Sequence, residues 1–292
     1  MVAPRTGEDR PGEPRADGTA HAEADKATAR FATLPPLTAP RLPQLADSIR
    51  VSWQRYPVLV FHDCDLTPRD LIDFGALFGT PVPVPPQEDI IDTTGLPSEI
   101  MLISNIVEKG RRVGHLGGGD LSWHTDMCYV PEPALASALY ALETPKAQGD
   151  TWFLDMRDVY DLLPERLRAR VATLSCKHDD SRTAAGDLRH DRESVTDITT
   201  SSGAVHPLVR TRPGSDRKAL YLGRRLNAYI PGLPLSESEA LLDELWSYCD
   251  DVGWPHRWRP GDLVVWDNRV MMHRRDAIPG GERRLMQRIQ AR

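Results

Sequence analysis

Short apolar runs bounded by turn-forming residues recur through this chain, and they restrict it to a fold built mainly from strands. Pro57–His62, Glu99–Ser104, Ser137–Leu142, Thr151–Leu154, His206–Thr211, Lys218–Leu222, Asp262–Trp266 and Val270–His273 are each four to six residues long. Most are rich in β-branched or aromatic residues, the composition that suits a pleated, half-buried surface. Helical spacing is confined to Gln44–Arg55, Thr67–Phe78, Met156–Leu163 and Ser236–Val252. Thr67-Pro68 reads as an N-cap followed by proline at the first helical position, and Ser236 with Glu239 fits a capping box. Alternating βαβ units are absent, so the expected class is mainly β with flanking helices, a β-sandwich or jelly roll.

The first 35 residues are expected to stand apart from that fold as a disordered tail. Ala3–Arg30 contains no Val, Ile, Leu, Met, Phe, Trp or Tyr, so it cannot bury enough apolar surface to offset its ordering entropy. Residues 36–292 are expected to form a single domain starting near Leu37, with polar Thr183–Gly203 as a long loop over it. A net charge of −6 argues against nucleic acid as a partner, since that needs a basic face. Cys64, Cys128, Cys176 and Cys249 are widely spaced with no CxxC pair, which favours free thiols in a reducing compartment. No apolar run nears the ~20 residues of a membrane span, and the N-terminus lacks the apolar core of a secretory signal. A cytoplasmic protein without a membrane partner is expected; a homo-oligomer is left open.

Within that frame, His124 and Asp126 lie two apart in Asp120-Leu-Ser-Trp-His-Thr-Asp126, and His273 follows roughly 150 residues later. Two imidazoles and one carboxylate can occupy one face of a non-heme Fe(II), leaving three positions for a chelating cosubstrate and O2. Residues two apart on a strand share a face, about 6.6 Å apart along it, so His124 and Asp126 can converge from one strand end. Ser122 is the next position on that face. Arg284, eleven residues past His273, can hold the anionic far end of the cosubstrate, because a guanidinium pairs with a carboxylate through two parallel hydrogen bonds. Asp267-Asn268 is expected to form a turn and hydrogen bonds around the ligands. Gly117-Gly-Gly119 reads as a flexible loop suited to a lid. His62, His115, His178, His190, His206 and His256 have no paired spacing and read as structural or solvated.

Trp123-His-Thr-Asp126, Gly149-Asp-Thr151, His206–Thr211 with Lys218–Tyr221, Trp266–Val270 and Arg283–Arg288 occur in this order. The chain here resembles the taurine dioxygenase and 2,4-D dioxygenase family of Fe(II)/2-oxoglutarate-dependent oxygenases, over most of residues 45 to 290. The resemblance implies a double-stranded β-helix, with His124, Asp126 and His273 as iron ligands. It implies that Thr151 and Arg284 bind the distal carboxylate of 2-oxoglutarate, and that Arg288 meets an anionic group of the substrate. Asn105 and Ser122 are further candidate substrate contacts. The family's taurine enzyme carries a histidine just beyond a Phe-Gly pair, whereas Phe78-Gly79 here leads into Thr80–Pro86 without one. An asparagine before the Trp-His-Thr-Asp run is replaced by Asp120–Ser122, and an aromatic wall residue by Leu226. A small anionic substrate other than taurine is therefore expected, oxidised at a C–H bond with release of succinate and CO2. Two alternatives use the same ligands: a metal-dependent hydrolase and a non-catalytic small-acid-binding β-barrel. The absence of HExxH and the presence of Arg284 weigh against the first. A ligand set with open positions weighs against the second.

Overall fold

Strand by strand, burial explains the element order. In the computed structural model, described for residues 30–84, 95–249 and 252–292, β1 (Ala32–Leu34) leads into α1 (Leu42–Arg55) and β2 (Val58–Phe61). After α2 (Pro68–Gly75) come β3 (Met101–Ser104), the short pair β4 (Val107–Glu108) and β5 (Arg111–Arg112), and β6 (His115–Leu116). Next are β7 (Leu121–His124), β8 (Ala136–Glu143) and β9 (Thr151–Asp155). The chain then leaves the sheets through α3 (Met156–Leu162), α4 (Glu165–Val171), β10 (Ser175–Asp179), β11 (Gly203–Pro207), β12 (Val209–Thr211), β13 (Lys218–Leu220) and α5 (Leu235–Ser247). It returns as β14 (Trp254–His256), β15 (Leu263–Asp267), β16 (Met271–Arg275) and β17 (Leu285–Ala291).

Seven strands form one sheet in the order β1-β2-β15-β8-β17-β3-β6, and four form a second, β14-β9-β16-β7. Alternate residues of a strand face opposite ways, and the large sheet uses both faces. Val58, Val60, Leu139, Val264, Trp266 and Met286 join Phe153, Leu154, Met271 and Met272 of the small sheet in one apolar cluster. Leu59, Phe61, Tyr140, Leu263, Val265 and Ile289 point the other way, onto Leu42 and Ile49 of α1 and Leu71, Ile72 and Phe74 of α2. That double burial is why Val58-Leu-Val-Phe61 and Leu263-Val-Val-Trp266 read as unbroken apolar runs. Phe31–Arg292 is one compact unit. Among the described residues no helix is long and apolar enough to cross a membrane.

Several boundaries differ from the sequence expectation. Ala32–Leu34 pairs in parallel with β2, with Ala32 opposite Leu59, so ordered structure begins before Leu37; residues 1–29 lie outside the described residues. The expected strand His206–Thr211 is two strands. Pro207, which has no N–H to continue a ladder, closes β11, and β12 then pairs with β13. Helix α2 carries the Thr67 cap in full, with Asp70 returning the bond to the Thr67 N–H at 2.9 Å. The Ser236–Glu239 box does not form. Helix α5 starts one residue earlier, from Pro234, and Glu239 is drawn into an ion pair with Arg225 at 2.5 Å.

Candidate active site

Strand β16 carries one end of the site because its neighbours fix its register. His273 lies directly opposite His124 on β7 and Phe153 on β9. Directly opposed residues share a face, so the two imidazoles meet with ring centroids 4.1 Å apart. Strand β7 ends at His124, and Asp126 is delivered by the turn that follows, with Met127 at φ +55°. Asn268 holds that turn: its Oδ1 accepts the Asp126 N–H at 2.9 Å, and its Nδ2 donates to the Asp126 and Ala134 carbonyls at 2.8 and 2.9 Å. The hydrogen-bonding role expected of Asn268 is thus visible atom by atom.

The Nε2 atoms of His124 and His273 lie 3.8 and 4.0 Å from Asp126 Oδ1, and the three buried side chains can offer ligand atoms within 4.8 Å of one another. His124 Nδ1 sits 2.8 Å from the Ser122 carbonyl; a carbonyl only accepts, so Nδ1 carries the proton and Nε2 keeps its lone pair. Burial pushes His273 down to about 3, with adjacent His124 lowering it further. Burial lowers His124 as well, and both rings are neutral near pH 7. For Asp126 burial works upward, but Arg288, the two imidazoles and the Ser137 hydroxyl outweigh it and hold the carboxyl well below the usual carboxylate range. Ser137 Oγ donates to Asp126 Oδ2 at 2.7 Å and Arg288 Nη1 to Oδ1 at 3.3 Å. Two neutral nitrogens and one carboxylate oxygen suit a divalent first-row metal such as Fe(II).

Farther along the same interior lie Thr151 and Arg284. Trp258 Nε1 donates to Thr151 Oγ1 at 2.9 Å, and the Trp258 ring lies 5.9 Å from the Arg284 guanidinium. Arg284 immediately precedes β17 and is 1 % exposed, with no hydrogen-bond partner at Nε or Nη1. Burial, then the neighbouring Arg275, pushes its pKa down to about 9, so it remains a cation at neutral pH. A buried guanidinium with free donors fits an anionic end of a bound acid.

A cavity of about 660 Å³ opens beside the triad, lined by His124, Asp126 and Arg288 together with Arg224, Val84 and Met101. Arg224 is buried and reaches it from the segment after β13, its Nη1 and Nη2 donating to the Arg182 and Asp179 carbonyls at 2.6 and 2.9 Å. Val82 and Pro83 also line the cavity, whereas Pro85 and Pro86 lie outside the described residues. Asn105 and Ser122 do not line it. The Asn105 amide is taken up by backbone: Nδ2 donates to the Glu282 carbonyl at 2.7 Å and Oδ1 accepts the Arg284 N–H at 2.8 Å. The exposed Ser122 hydroxyl donates to the Ala184 carbonyl at 3.4 Å. The glycine run is pinned: Gly117 and Gly119 carbonyls accept from Arg275, and that of Gly118 from the Ile278 N–H at 2.9 Å. Sequence reading missed Ser137, Arg224, Trp258 and Arg275, none of which stands in a motif spacing with the residues it contacts.

Comparison with known proteins gives the same direction. The family described as taurine catabolism dioxygenase TauD, TfdA family matches residues 25–290. The chain is 32% identical over 270 residues to the (S)-phenoxypropionate/alpha-ketoglutarate-dioxygenase of Sphingobium herbicidovorans, covering 86% of this chain and 88% of the relative. It is 34% identical over 232 residues to the alpha-ketoglutarate-dependent 2,4-dichlorophenoxyacetate dioxygenase of Cupriavidus pinatubonensis, covering 74% and 78%. The crystal structure of AAD-2 in complex with Mn(II) and N-oxalylglycine superposes with a TM-score of 0.70 at 28% identity, covering 90% of this chain and 94% of that one. With its His-Asp-His cluster and the family match over nearly its whole described length, the chain belongs to the TauD/TfdA dioxygenase family.

Proposed function

We propose that this chain oxidises a C–H bond of a small organic acid, using Fe(II), O2 and 2-oxoglutarate, and that His124, Asp126 and His273 hold the metal. The balanced conversion is substrate C–H plus O2 plus 2-oxoglutarate to substrate C–OH plus succinate plus CO2. The observation that carries it is the pairing of an open His-Asp-His cluster with the buried, donor-rich Arg284 on the same interior. Bound there, Fe(II) supplies activation of O2 coupled to oxidative decarboxylation of the keto acid. The protein's work is ligation, position and exclusion of water. Neutral His124 and His273 lend nitrogen lone pairs, and Asp126, kept ionised by Arg288 and Ser137, offsets the metal's charge. Thr151 and Arg284 hold the distal carboxylate.

Arg288 and Arg224 face the cavity and select a negatively charged group on the substrate. A volume of about 660 Å³ lies within the roughly 300–1,000 Å³ of small-molecule sites. It admits an acid larger than taurine, such as the aryloxyalkanoates that name the relatives. Hydroxylation is the primary outcome. Two largely antiparallel sheets sharing one core, with His124 and His273 on strands of the smaller one and Asp126 on the turn after β7, support a jelly roll, the double-stranded β-helix. It acts as one catalytic domain that takes in β1 and so spans Phe31–Arg292 rather than starting at residue 36. Four buried cysteines, none of them in a disulfide, suit a reducing cytoplasm.

The test is O2-dependent succinate formation from 2-oxoglutarate with ferrous iron, screened over aryloxyalkanoic, sulfonic, amino and phosphorylated acids. Succinate matched mole for mole by an oxidised product is expected for an aryloxy or related carboxylic acid. No O2-dependent succinate with any acid, or taurine as the best substrate, would overturn the reading.

A further inference from the structure

We propose that Arg275 is a second guanidinium of the cosubstrate pocket, contacting the distal carboxylate of 2-oxoglutarate alongside Arg284 and tying that contact to the Gly117–Gly119 loop. The proposal rests on the 2-oxoglutarate reading above. Arg275 lies two residues beyond His273 on β16, and residues so spaced point to the same face about 6.6 Å apart. Arg274, between them, points away, its guanidinium 4.5 Å from the Trp152 ring centroid. Across the sheet Arg275 is directly opposite Thr151 on β9 and Leu121 on β7. The residue facing Thr151 on the interior is therefore an arginine.

Its bonding is incomplete in an informative way. Arg275 is 3 % exposed. Nη2 alone is engaged, donating to the carbonyls of Gly119, Gly117 at 3.0 Å and Leu116 at 3.4 Å. Nε and Nη1 have no partner, as is true of Nε and Nη1 of Arg284. A purely structural strut for the glycine loop would explain Nη2 and leave the other donors without purpose. No carboxylate forms an ion pair with Arg275 or Arg284 among the described residues; the exposed Asp120 acts on Arg275 only through its field. Arg275 in turn lowers the proton affinity of Arg284, so the two cations sit close enough to repel. Burying like charges with free donors within reach of each other's field is costly unless an anion joins them. A carboxylate held by both satisfies donors of each and cancels part of the repulsion. The same contact would couple cosubstrate binding to the glycine loop through Nη2.

Arg275→Ala, Arg275→Lys and Arg284→Ala in the full chain test this, with the Mn(II)-loaded protein titrated calorimetrically with 2-oxoglutarate and with 2-oxobutanoate. The second ligand keeps the keto-acid end and lacks the distal carboxylate. Wild type should prefer 2-oxoglutarate. Arg275→Ala should weaken 2-oxoglutarate by about tenfold to a hundredfold, the worth of a charged hydrogen-bonded contact, while 2-oxobutanoate changes less than about twofold. Arg275→Lys should fall between, because lysine keeps the charge and loses the fork, and it carries the test if the alanine variant does not fold. An unchanged preference in both Arg275 variants, or equal loss of both ligands, would overturn the proposal. If wild type itself shows no preference while binding Mn(II), the 2-oxoglutarate reading fails instead.

Discussion

The Asp126 carboxylate is shared between a hydroxyl and a guanidinium, and the two should respond to substitution differently. Ser137, buried near the start of β8, donates to Oδ2 and also accepts from Gln290 Nε2 at 3.0 Å. It orients the Asp126 carboxylate and does not itself line the cavity. Ser137→Ala should lower Mn(II) or Co(II) affinity by about tenfold, the lower end for residues that orient metal ligands; titration of the metal-free protein checks it, and unchanged affinity would remove the role. Arg288 has one foot on Oδ1 and lines the cavity, so Arg288→Ala should raise the substrate Michaelis constant about tenfold or more. Its 2-oxoglutarate dissociation constant should stay within about twofold, since the proposed site gives that ligand's distal carboxylate to Arg284 instead. A neutral best substrate indifferent to the change would refute the assignment. At this scale the sequence was legible where chemistry imposes spacing. His124 and Asp126 two apart, a later His273 and the Arg284–Arg288 pair all announce themselves. Ser137, Trp258 and Arg275 do not, because each acquires its partner only through folding: by register Ser137 stands opposite Trp266 and Gln290 and Arg275 opposite Thr151, while Trp258 reaches Thr151 from the segment after β14.

Elements come together at the turn between β15 and β16. Asn268 there is 1 % exposed and bonds the turn after β7 to the approach to β8 through three hydrogen bonds. Asn268→Ala leaves an N–H and two carbonyls buried without their partner. At about 1–3 kcal/mol for each unsatisfied group, and with water recovering part of that, a loss of about 2–4 kcal/mol is expected in urea unfolding of the metal-free protein. Asn268→Asp should lose less, since it keeps the acceptor for the Asp126 N–H. A change under about 0.5 kcal/mol, the scatter of neutral surface substitutions, would show that the turn holds without it. Elements were legible where one local rule governs them. Strand β2, and β15 as far as Trp266, are apolar because both faces are covered, and Thr67-Pro68 with Asp70 caps α2 as written. Strand β10, whose Ser-Cys-Lys-His-Asp is mostly buried but polar, and the short helix α4 were invisible. Their existence depends on what they pack against. The Ser236–Glu239 box failed for the same reason, since Arg225, fourteen residues before Glu239 and outside the helix, takes its carboxylate.

At the scale of the whole molecule, the question is which part of the chain the enzyme needs. Ordered pairing begins at β1, an edge strand held in parallel against β2, with Ala32 and Leu34 packed against the cluster beneath α1 and α2. Before it, Ala3–Arg30 offers no large apolar side chain with which to dock on that cluster. Removing residues 1–29 should therefore leave the melting temperature within about 2 °C, less than the shift that 1 kcal/mol produces in a domain of this size. Succinate yield per mole of enzyme should be unchanged too, because every residue assigned to metal, cosubstrate or substrate lies beyond Asn105. Carrying the deletion through Leu34 should behave differently. It strips an edge strand, exposes the donors and acceptors of β2 and uncovers part of the apolar cluster, so the melting temperature should fall by several degrees and the protein should aggregate more readily. The pair of truncations separates two ideas about the N-terminus. If the shorter one already loses stability or turnover, residues 1–29 contribute to the fold or the active site, and the composition argument that set them apart is wrong.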